Sequence, residues 1–190
     1  MFNKGSSESR SDADLVRICN QGDAAAATRA FEVLYKRHKN YVVRVALRFV
    51  PDNDSALDVL QETFSYLLRK FPPAGPGLTL TAGLTSLIYP VAKNTAISLL
   101  RKANRFPASD TLQPDDLQAT TLSHRTDIQP LLSELSEERR EVVMLRFVDD
   151  MSLQEIASSL QIPLGTVKSR LHLAIKQLRD SPEARNLLDP

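Results

Sequence analysis

Apolar residues recur three and four positions apart in every periodic segment of this chain, and no segment alternates convincingly between apolar and polar residues. Spacings of three and four place side chains on one face of an α-helix, whereas a half-buried strand needs a spacing of two. The sequence therefore predicts an all-α protein.

The predicted helices form two groups. The first group has a short helix that begins at Ser11 and ends at Gly22, and a long helix that ends before Pro51. It also has a third helix from the Asp52–Asp54 turn to about Phe71 and a fourth over about residues 86–104. The second group lies at about residues 131–148, 152–160 and 164–179.

The two groups are predicted to be separate domains. Residues 106–130 are rich in Pro, Asp, Ser and Thr and have little periodicity, which is typical of a flexible linker. We expect two small helical domains, a four-helix domain over residues 11–105 and a smaller one over 131–190. They are joined by the linker over 106–130, and a disordered tail over 1–10 precedes them.

The third predicted helix carries a buried stripe with a polar strip beside it. At 100° per residue, one set of apolar residues lies within an arc of ~100° and is expected to be buried. These residues are Leu57, Leu60, Phe64, Leu67, Leu68 and Phe71. The polar strip is Asp58, Glu62, Ser65 and Arg69. Such a strip is either a solvated helix face or a surface on which another protein docks.

Pro90 limits where the fourth helix can begin. Proline has no backbone N–H, so only within about the first four positions does it cost a helix no internal hydrogen bond. We therefore expect this helix to begin close to Ser86. A much earlier start would require a kink at Pro90.

Acidic and basic residues balance in number, 23 against 24, but not in position. Residues 63–109 contain no acidic residue, yet they contain six basic ones: Arg69, Lys70, Lys93, Arg101, Lys102 and Arg105. Such a patch is either a solvated basic face or a nucleic-acid-binding surface. In the second case the phosphate contacts are expected to be Lys93, Asn94, Arg101, Lys102 and Arg105.

Several classes of function find no support in the sequence. No apolar run approaches the ~20 residues of a membrane helix, and the polar N-terminus is not expected to be a signal peptide. One cysteine and three scattered histidines offer neither an internal disulfide nor metal-ligand spacing. Gly-rich phosphate loops and nucleophile motifs are missing. We expect no enzymatic activity, no cofactor, no membrane insertion and a cytoplasmic location.

The sharpest local signal is a pair of short helices in the second group. Ser152 and Glu155 form the pattern of a capping box, in which each side chain bonds the other residue's free backbone N–H. After a short turn at residues 161–163, the next helix is expected to begin around Leu164. The arrangement predicts a helix-turn-helix, although an ordinary helical hairpin with a solvated basic face has the same outline.

The second helix of this pair sorts its residues onto two faces. The core face is predicted to hold Val167, Leu171, Ala174 and Leu178. The opposite face holds Ser169, His172 and Lys176, and Lys168 and Arg170 flank it. Because residues 165–179 include no acidic residue, we interpret the exposed face as one that enters a DNA major groove.

Taken together, these segments resemble the sigma-70 family of bacterial RNA polymerase sigma factors, in particular the compact extracytoplasmic-function (ECF) group. The resemblance covers about residues 20–105 and 130–180. It rests on Ala30-Phe-Glu-Val-Leu-Tyr35 with Arg37-His38, Asp58-Val-Leu-Gln-Glu-Thr-Phe64, and Ala92-Lys-Asn-Thr-Ala-Ile97 with Arg101 and Lys102. It rests also on Leu135-Ser-Glu-Glu-Arg-Arg-Glu-Val-Val-Met-Leu-Arg146 and Gly165-Thr-Val-Lys-Ser-Arg-Leu171.

The resemblance implies a region 2-like domain, a region 4-like domain and a set of partners. These partners are core RNA polymerase, through its β′ clamp and β flap, promoter DNA, and in some cases an anti-sigma factor. Docking on the β′ clamp is implied for Asp58, Gln61, Glu62, Phe64, Ser65 and Arg69.

The resemblance also implies two DNA-reading surfaces. Contacts to the −10 element are implied for Lys93, Asn94, Ser98, Arg101, Lys102 and Arg105. Contacts to the −35 element are implied for Thr166, Lys168, Ser169, Arg170, His172, Leu173 and Lys176. The loop from Pro72 to Gly83 is the candidate for receiving an exposed base of the opened promoter, and the linker would thread the polymerase's RNA path.

The chain departs from the usual family residues at six positions. Leu87 stands where Trp is usual, Pro90 where a basic residue is usual and Ser98 where Asp is usual. Gln161 replaces a turn glycine, and Leu173 and Ile175 replace basic residues.

Two alternatives account for part of the pattern. A free-standing helix-turn-helix regulator would need only the second domain, and the Asp58–Phe64 motif separates it from a sigma factor. A degenerate sigma-like interaction protein would bind polymerase or an anti-sigma partner without productive promoter recognition.

Overall fold

The computed structural model describes residues 9–105 and 132–181. Within them the regular secondary structure consists of α-helices, which confirms the predicted class. These helices are α1 (Asp12–Gln21), α2 (Ala24–Ala46), α3 (Asn53–Leu68), α4 (Leu84–Arg105), α5 (Glu137–Phe147), α6 (Leu153–Leu160) and α7 (Leu164–Asp180).

The helices belong to two compact units, one with α1–α4 and the other with α5–α7. The predicted linker at residues 106–130 and most of the predicted tail lie outside the described residues. Within the described ranges, no helix combines the length and the apolar character needed to cross a membrane.

Side-chain caps set the starts of the first three helices. Ser11, Asp23 and Asp52 each accept a hydrogen bond from the backbone N–H three residues ahead, as N-caps do. The predicted start of the first helix at Ser11 is confirmed, and Ser11 is its cap. Because Asp23 caps α2, the Ala-rich stretch forms the beginning of that helix. The helix ends at Ala46 and is followed by a tight turn, before Pro51 is reached.

The buried face of α3 differs from the predicted stripe. Leu57 and Leu68 are 53% and 54% exposed, so their predicted burial is wrong. The fully buried positions include Ala56, Val59 and Thr63 instead. Since α3 packs against α4 as well as α2, the side of the helix that carries those three residues is also buried. Leu57 and Leu68 are left at the edge of the buried arc.

The start of α4 also differs from the prediction. The helix begins at Leu84, two residues before Ser86, and Pro90 lies within it. Pro90 has no N–H to donate to the carbonyl of Ser86, so one internal hydrogen bond is missing. Burial of Leu84, Ile88 and Tyr89 against the rest of the unit compensates for this loss.

The first helix of the second unit is shorter than predicted. Leu132 and Ser133 are helical, but residues 134–136 are not. Helix α5 begins at Glu137. The guanidinium of Arg140 donates to the carbonyls of Leu132, Ser133 and Leu135 at 2.7, 3.2 and 3.1 Å. These bonds satisfy carbonyls that a continuous helix would have paired internally.

The helix-turn-helix prediction agrees with α6 and α7. The capping box is present: the Ser152 N–H donates to the Glu155 carboxylate at 2.8 Å, and the Glu155 N–H donates to Ser152 Oγ at 3.2 Å. Gln161 closes α6 in the left-handed region, with φ 54° and ψ 42°. On α7, Val167 and Ala174 are fully buried and Leu171 and Leu178 are partly buried, as predicted.

A polar cluster joins α1 to α2. The carboxylate of Asp12 accepts hydrogen bonds from Arg37 and from His38 Nε2, the latter at 2.7 Å. Burial raises the pKa of Asp12, but the hydrogen bonds and positive charges of His38 and Arg37 outweigh it. The pKa therefore lies below the ordinary value of 3.8.

The Asp12 cluster predicts a pH-dependent contribution to stability. We expect Asp12→Asn to lower the free energy of unfolding at pH 7 by about 1.5–3 kcal/mol, the usual net value for a hydrogen bond to a charged group. Because folding lowers this pKa below 3.8, the contribution is complete above that pH and is lost as the pH falls through the folded-state pKa. Urea denaturation of both proteins across this range measures the difference.

In the matched control, Asp14→Asn removes an exposed partner of Arg17 and should cost less stability. An equal loss in both variants, or a difference that persists at low pH, would contradict the assignment to Asp12.

The left-handed backbone at Gln161 gives a second stability prediction. Gln161→Gly should stabilise the protein by about 1 kcal/mol, because glycine adopts a positive φ without steric cost. The control is Gln154→Gly on an exposed, regular position of α6, which should destabilise by about 1 kcal/mol. Thermal denaturation that shows the same sign for both substitutions would refute this explanation.

Candidate protein-docking and nucleic-acid interfaces

The polar strip of α3 lies on the outside of the first unit. Asp58, Gln61, Glu62 and Arg69 are exposed and Ser65 is half-buried. Phe64, by contrast, is buried at 5% exposure. Its ring makes edge-to-face contacts with Phe31 and Tyr35 of α2, at centroid distances of 6.1 and 4.8 Å. Phe64 therefore supports the surface from below.

An apolar groove lies next to the polar strip, between α2 and α3. Its volume is about 420 Å³, and it is lined by Phe31, Tyr35, Leu57, Leu60, Gln61, Phe64, Ser65 and Leu68. The two leucines that were expected to be buried are thus the exposed walls of this groove. An apolar groove with the Gln61 amide and the Ser65 hydroxyl among its lining side chains suits an amphipathic helix from another protein. The signal available in the sequence was the position of Leu57 and Leu68 at the margin of the predicted arc.

The outer face of α4 carries the predicted −10 residues. Asn94, Ser98, Arg101 and Lys102 are exposed, whereas Lys93 is half-buried. Lys93 Nζ lies 5.8 Å from the centre of the Phe49 ring, just beyond the end of α2. Arg105 ends α4, and its side chain lies outside the described residues.

A second groove, between α3 and α4, brings the two predicted surfaces together. It has a volume of about 480 Å³ and is lined by Glu62, Tyr66, Val91, Asn94, Thr95, Ser98, Leu99 and Lys102. Lys70 Nζ sits 4.6 Å from the centre of the Tyr66 ring at the same end of α3. Glu62 of the polar strip therefore shares a groove with Asn94, Ser98 and Lys102.

The loop between α3 and α4 is tied to its surroundings by backbone hydrogen bonds. The N–H of Gly75 donates to the Phe71 carbonyl and that of Gly77 to the Lys70 carbonyl, both at 2.9 Å. A Cβ on Gly75 would lie 2.3 Å from the Arg69 carbonyl oxygen, so only glycine allows this close return of the chain. The loop has a defined conformation next to the polar strip.

The exposed face of α7 is arranged as predicted. Lys168, Ser169, His172, Leu173 and Lys176 are exposed, and Thr166 and Arg170 are half-buried. Leu173 is 43% exposed, which leaves an apolar side chain on this face.

Contacts from α5 hold α7 in position. Arg139 donates to Gln177 Oε1 at 2.9 Å, and Gln177 Nε2 donates to the Glu134 carbonyl at 2.7 Å. The pKa of Glu138 is lowered, first by hydrogen bonds with its own backbone and Ser136, then by the charges of Arg170 and Arg139. The contacts of α7 with Glu134, Glu138 and Arg139 join residues far apart in sequence, so periodicity could not predict them.

Within the described ranges, no group of three or more His, Cys, Asp or Glu residues could hold a metal ion. Cys19 is buried, and burial raises the pKa of its thiol to about 11, so it is uncharged at neutral pH.

Comparison with known proteins identifies both units. Residues 34–106 match the model of sigma-70 region 2, and residues 125–178 match that of sigma-70 region 4. The chain is 36% identical over 168 residues to the ECF RNA polymerase sigma factor SigL of Mycobacterium tuberculosis, covering 83% of this chain and 92% of SigL. It is 31% identical over 144 residues to the RNA polymerase sigma factor SigV of Bacillus subtilis, covering 75% of this chain and 84% of SigV.

A solved structure shows a similar fold. The sigma factor RpoE of Bartonella quintana, in complex with the anti-sigma factor NepR, superposes with a TM-score of 0.55 at 22% identity. The match covers 79% of this chain and 94% of RpoE.

Proposed function

The chain belongs to the ECF group of the sigma-70 family of RNA polymerase sigma factors, and from this premise we propose what each of its recognition surfaces binds. The α3 surface binds core RNA polymerase, α4 and the loop before it read the −10 element, and α7 reads the −35 element. The protein is a bridge between polymerase and promoter in the cytoplasm and catalyses no reaction itself.

The observation that carries the proposal is the α3 surface. A DNA-binding regulator has no need of an exposed polar strip beside an apolar groove, whereas a subunit that docks on a helical clamp does. Asp58, Gln61, Glu62 and Arg69 supply the polar contacts in this assignment. Leu57 and Leu68 supply apolar contacts that the motif alone did not include. Phe64 is assigned a supporting role, because it is buried beneath the groove.

The −10 assignment is supported by charge and exposure. Residues 63–109 contain no acidic residue, so single-stranded and duplex DNA can approach α4 at little electrostatic cost. Asn94, Arg101 and Lys102 are exposed for contacts to phosphates and bases, and Lys93 lies beside them. The loop over Pro72–Gly83 receives one unstacked base of the opened strand.

The −35 assignment rests on α7. A helix enters the major groove with its N-terminal half, and Lys168 and Arg170 flank that half on either side. They contact phosphates on the two walls of the groove, while Ser169 and His172 face the base edges. Leu173 adds an apolar contact of the kind that thymine methyl groups accept.

A regulatory partner is part of the proposal. The RpoE of Bartonella quintana forms a complex with an anti-sigma factor. We expect an anti-sigma protein of this kind to bind the present chain and to compete with core polymerase. The linker, which lies outside the described residues, would follow the RNA path of the polymerase.

The test is a binding and transcription experiment with purified components. Core RNA polymerase is captured by the full chain, and run-off transcription from a promoter library is measured in the same reaction. Binding with specific initiation supports the proposal. Binding without initiation favours the degenerate sigma-like protein, and DNA binding without polymerase binding favours a free-standing regulator.

The docking assignment predicts a loss of polymerase binding on charge reversal. Asp58→Lys combined with Glu62→Lys should weaken binding of core polymerase by about a hundredfold, because two acidic side chains of the proposed interface are replaced by side chains of opposite charge. Surface plasmon resonance against immobilised core polymerase measures the effect. Asp54→Lys, an exposed acid in the first turn of α3, is the control and should bind normally. Unchanged binding by the double variant would refute the assignment.

The −35 assignment predicts a change in salt dependence. Lys168→Ala and Arg170→Ala should each weaken duplex binding and reduce the slope of log K against log salt by about one, since each removes one phosphate contact. Fluorescence anisotropy over a range of salt concentrations gives both quantities. Arg179→Ala, in the last turn of the same helix, is the matched control. If all three variants show the same slope of log K against log salt, the DNA-binding face must lie elsewhere on the protein.

A further inference from the structure

One side chain of α1 is bonded to the loop between α3 and α4 at both of its polar atoms. Asn20 Nδ2 donates to the carbonyl of Leu78 at 2.8 Å, and the N–H of Leu78 donates to Asn20 Oδ1 at 2.9 Å. The two residues are 58 positions apart in sequence. Asn20 thus pairs with the backbone of Leu78 as a neighbouring strand would, and it holds the middle of the loop against α1.

Gly77 makes this pairing possible. Its φ is +97°, which side-chain-bearing residues rarely adopt, and a Cβ at this position would lie only 3.1 Å from Asn20 Oδ1. The N–H of Gly77 donates to the Lys70 carbonyl at 2.9 Å. The loop is therefore held on one side by the end of α3 and on the other by Asn20.

The α1 end of this contact is itself anchored. Leu15, Val16 and Cys19 of α1 are buried, and Asp12 bonds Arg37 and His38 of α2. A loop bonded to Asn20 is consequently held in a defined position relative to α2. A pocket that discriminates among bases by hydrogen bonding requires such preorganisation, because ordering a mobile loop on binding costs affinity.

We propose that Asn20 is a positioning residue for promoter recognition, which holds the loop over Pro72–Gly83 in the conformation that receives the unstacked base. The inference rests on the proposed function of that loop. Asparagine suits this role because its amide donates and accepts at once. A carboxylate at position 20 would still accept from the Leu78 N–H, but it would face the Leu78 carbonyl without a proton to donate.

The test uses the full chain assembled with core polymerase. The probes are labelled non-template-strand oligonucleotides from a promoter found in the run-off experiment, in which each base of the −10 element is varied singly. Asn20→Ala removes both hydrogen bonds and should reduce the preference for one base by roughly tenfold, the equivalent of two hydrogen bonds of ordinary net strength. The isosteric Asn20→Asp should also reduce this preference, because it loses one bond and places a carboxylate against the Leu78 carbonyl. Affinity for −35 duplex DNA and for core polymerase should remain unchanged.

Two further variants make the result decisive. Gln21→Ala, at the exposed neighbouring position of α1, should keep the full base preference. Gly77→Ala strains the loop from its own side and should lose the same preference as the Asn20 variants.

Two results would overturn the inference. One is a base preference that is retained in the Asn20 variants. The other is a parallel loss of affinity for the −10 oligonucleotides, the −35 duplex and core polymerase, together with a lower melting temperature of the variant. If the wild-type complex itself shows no base preference, the proposed function of the loop fails and the inference with it. Failure of the proposed function is distinguished from failure of the inference alone, because only the former appears as a missing base preference in the wild-type complex.

Discussion

The packing of α1, α3 and α4 around α2 is the interaction on which the first unit depends. Val42, Val45 and Ala46 of α2 are fully buried, and every other helix of the unit packs against α2. Burial of apolar surface supplies the free energy, and the Asp12 cluster adds a directional link between α1 and α2. Because the inner faces of α3 and α4 are used in this core, their outer faces are available for recognition.

The two outer faces form neighbouring parts of one surface. Glu62 of the polar strip shares a groove with Asn94, Ser98 and Lys102 of α4. The loop between the helices is bonded to the carbonyls of Lys70 and Phe71, which directly follow α3. The surface that we propose for polymerase docking and the surface that we propose for the −10 element are therefore continuous.

In the second unit, local strain and contacts between residues distant in sequence both act on the position of α7. Gln161 and Asp150 adopt positive φ values of 54° and 53°, where glycine would be relaxed, so the turns before α6 and α7 retain a steric cost. Arg140, Arg139 and Gln177 hold the segment before α5 and the end of α7 in place. The orientation of the α7 face results from both effects.

Much of this architecture is encoded in short-range patterns that the sequence by itself determined. The all-α class, the start of the first helix at Ser11, the capping box at Ser152, and the two faces of α7 follow from spacings within one or two helical turns. Such features depend on neighbours only a few residues away, whose geometry is fixed by the helix itself. The same locality explains why most predicted recognition residues lie on exposed faces.

Only the tertiary structure decided which margin of α3 stays exposed, where α4 begins, where the helix before α5 breaks, and how Asn20 holds Leu78. Each of these depends on a partner remote in sequence. The burial of Val59 and Thr63 instead of Leu57 and Leu68 accompanies packing on α4. The early start of α4 accompanies the burial of Leu84, and the Asn20 pairing requires the loop to return to α1. A periodic pattern identifies a helix face, but the neighbouring helices determine how much of that face is buried.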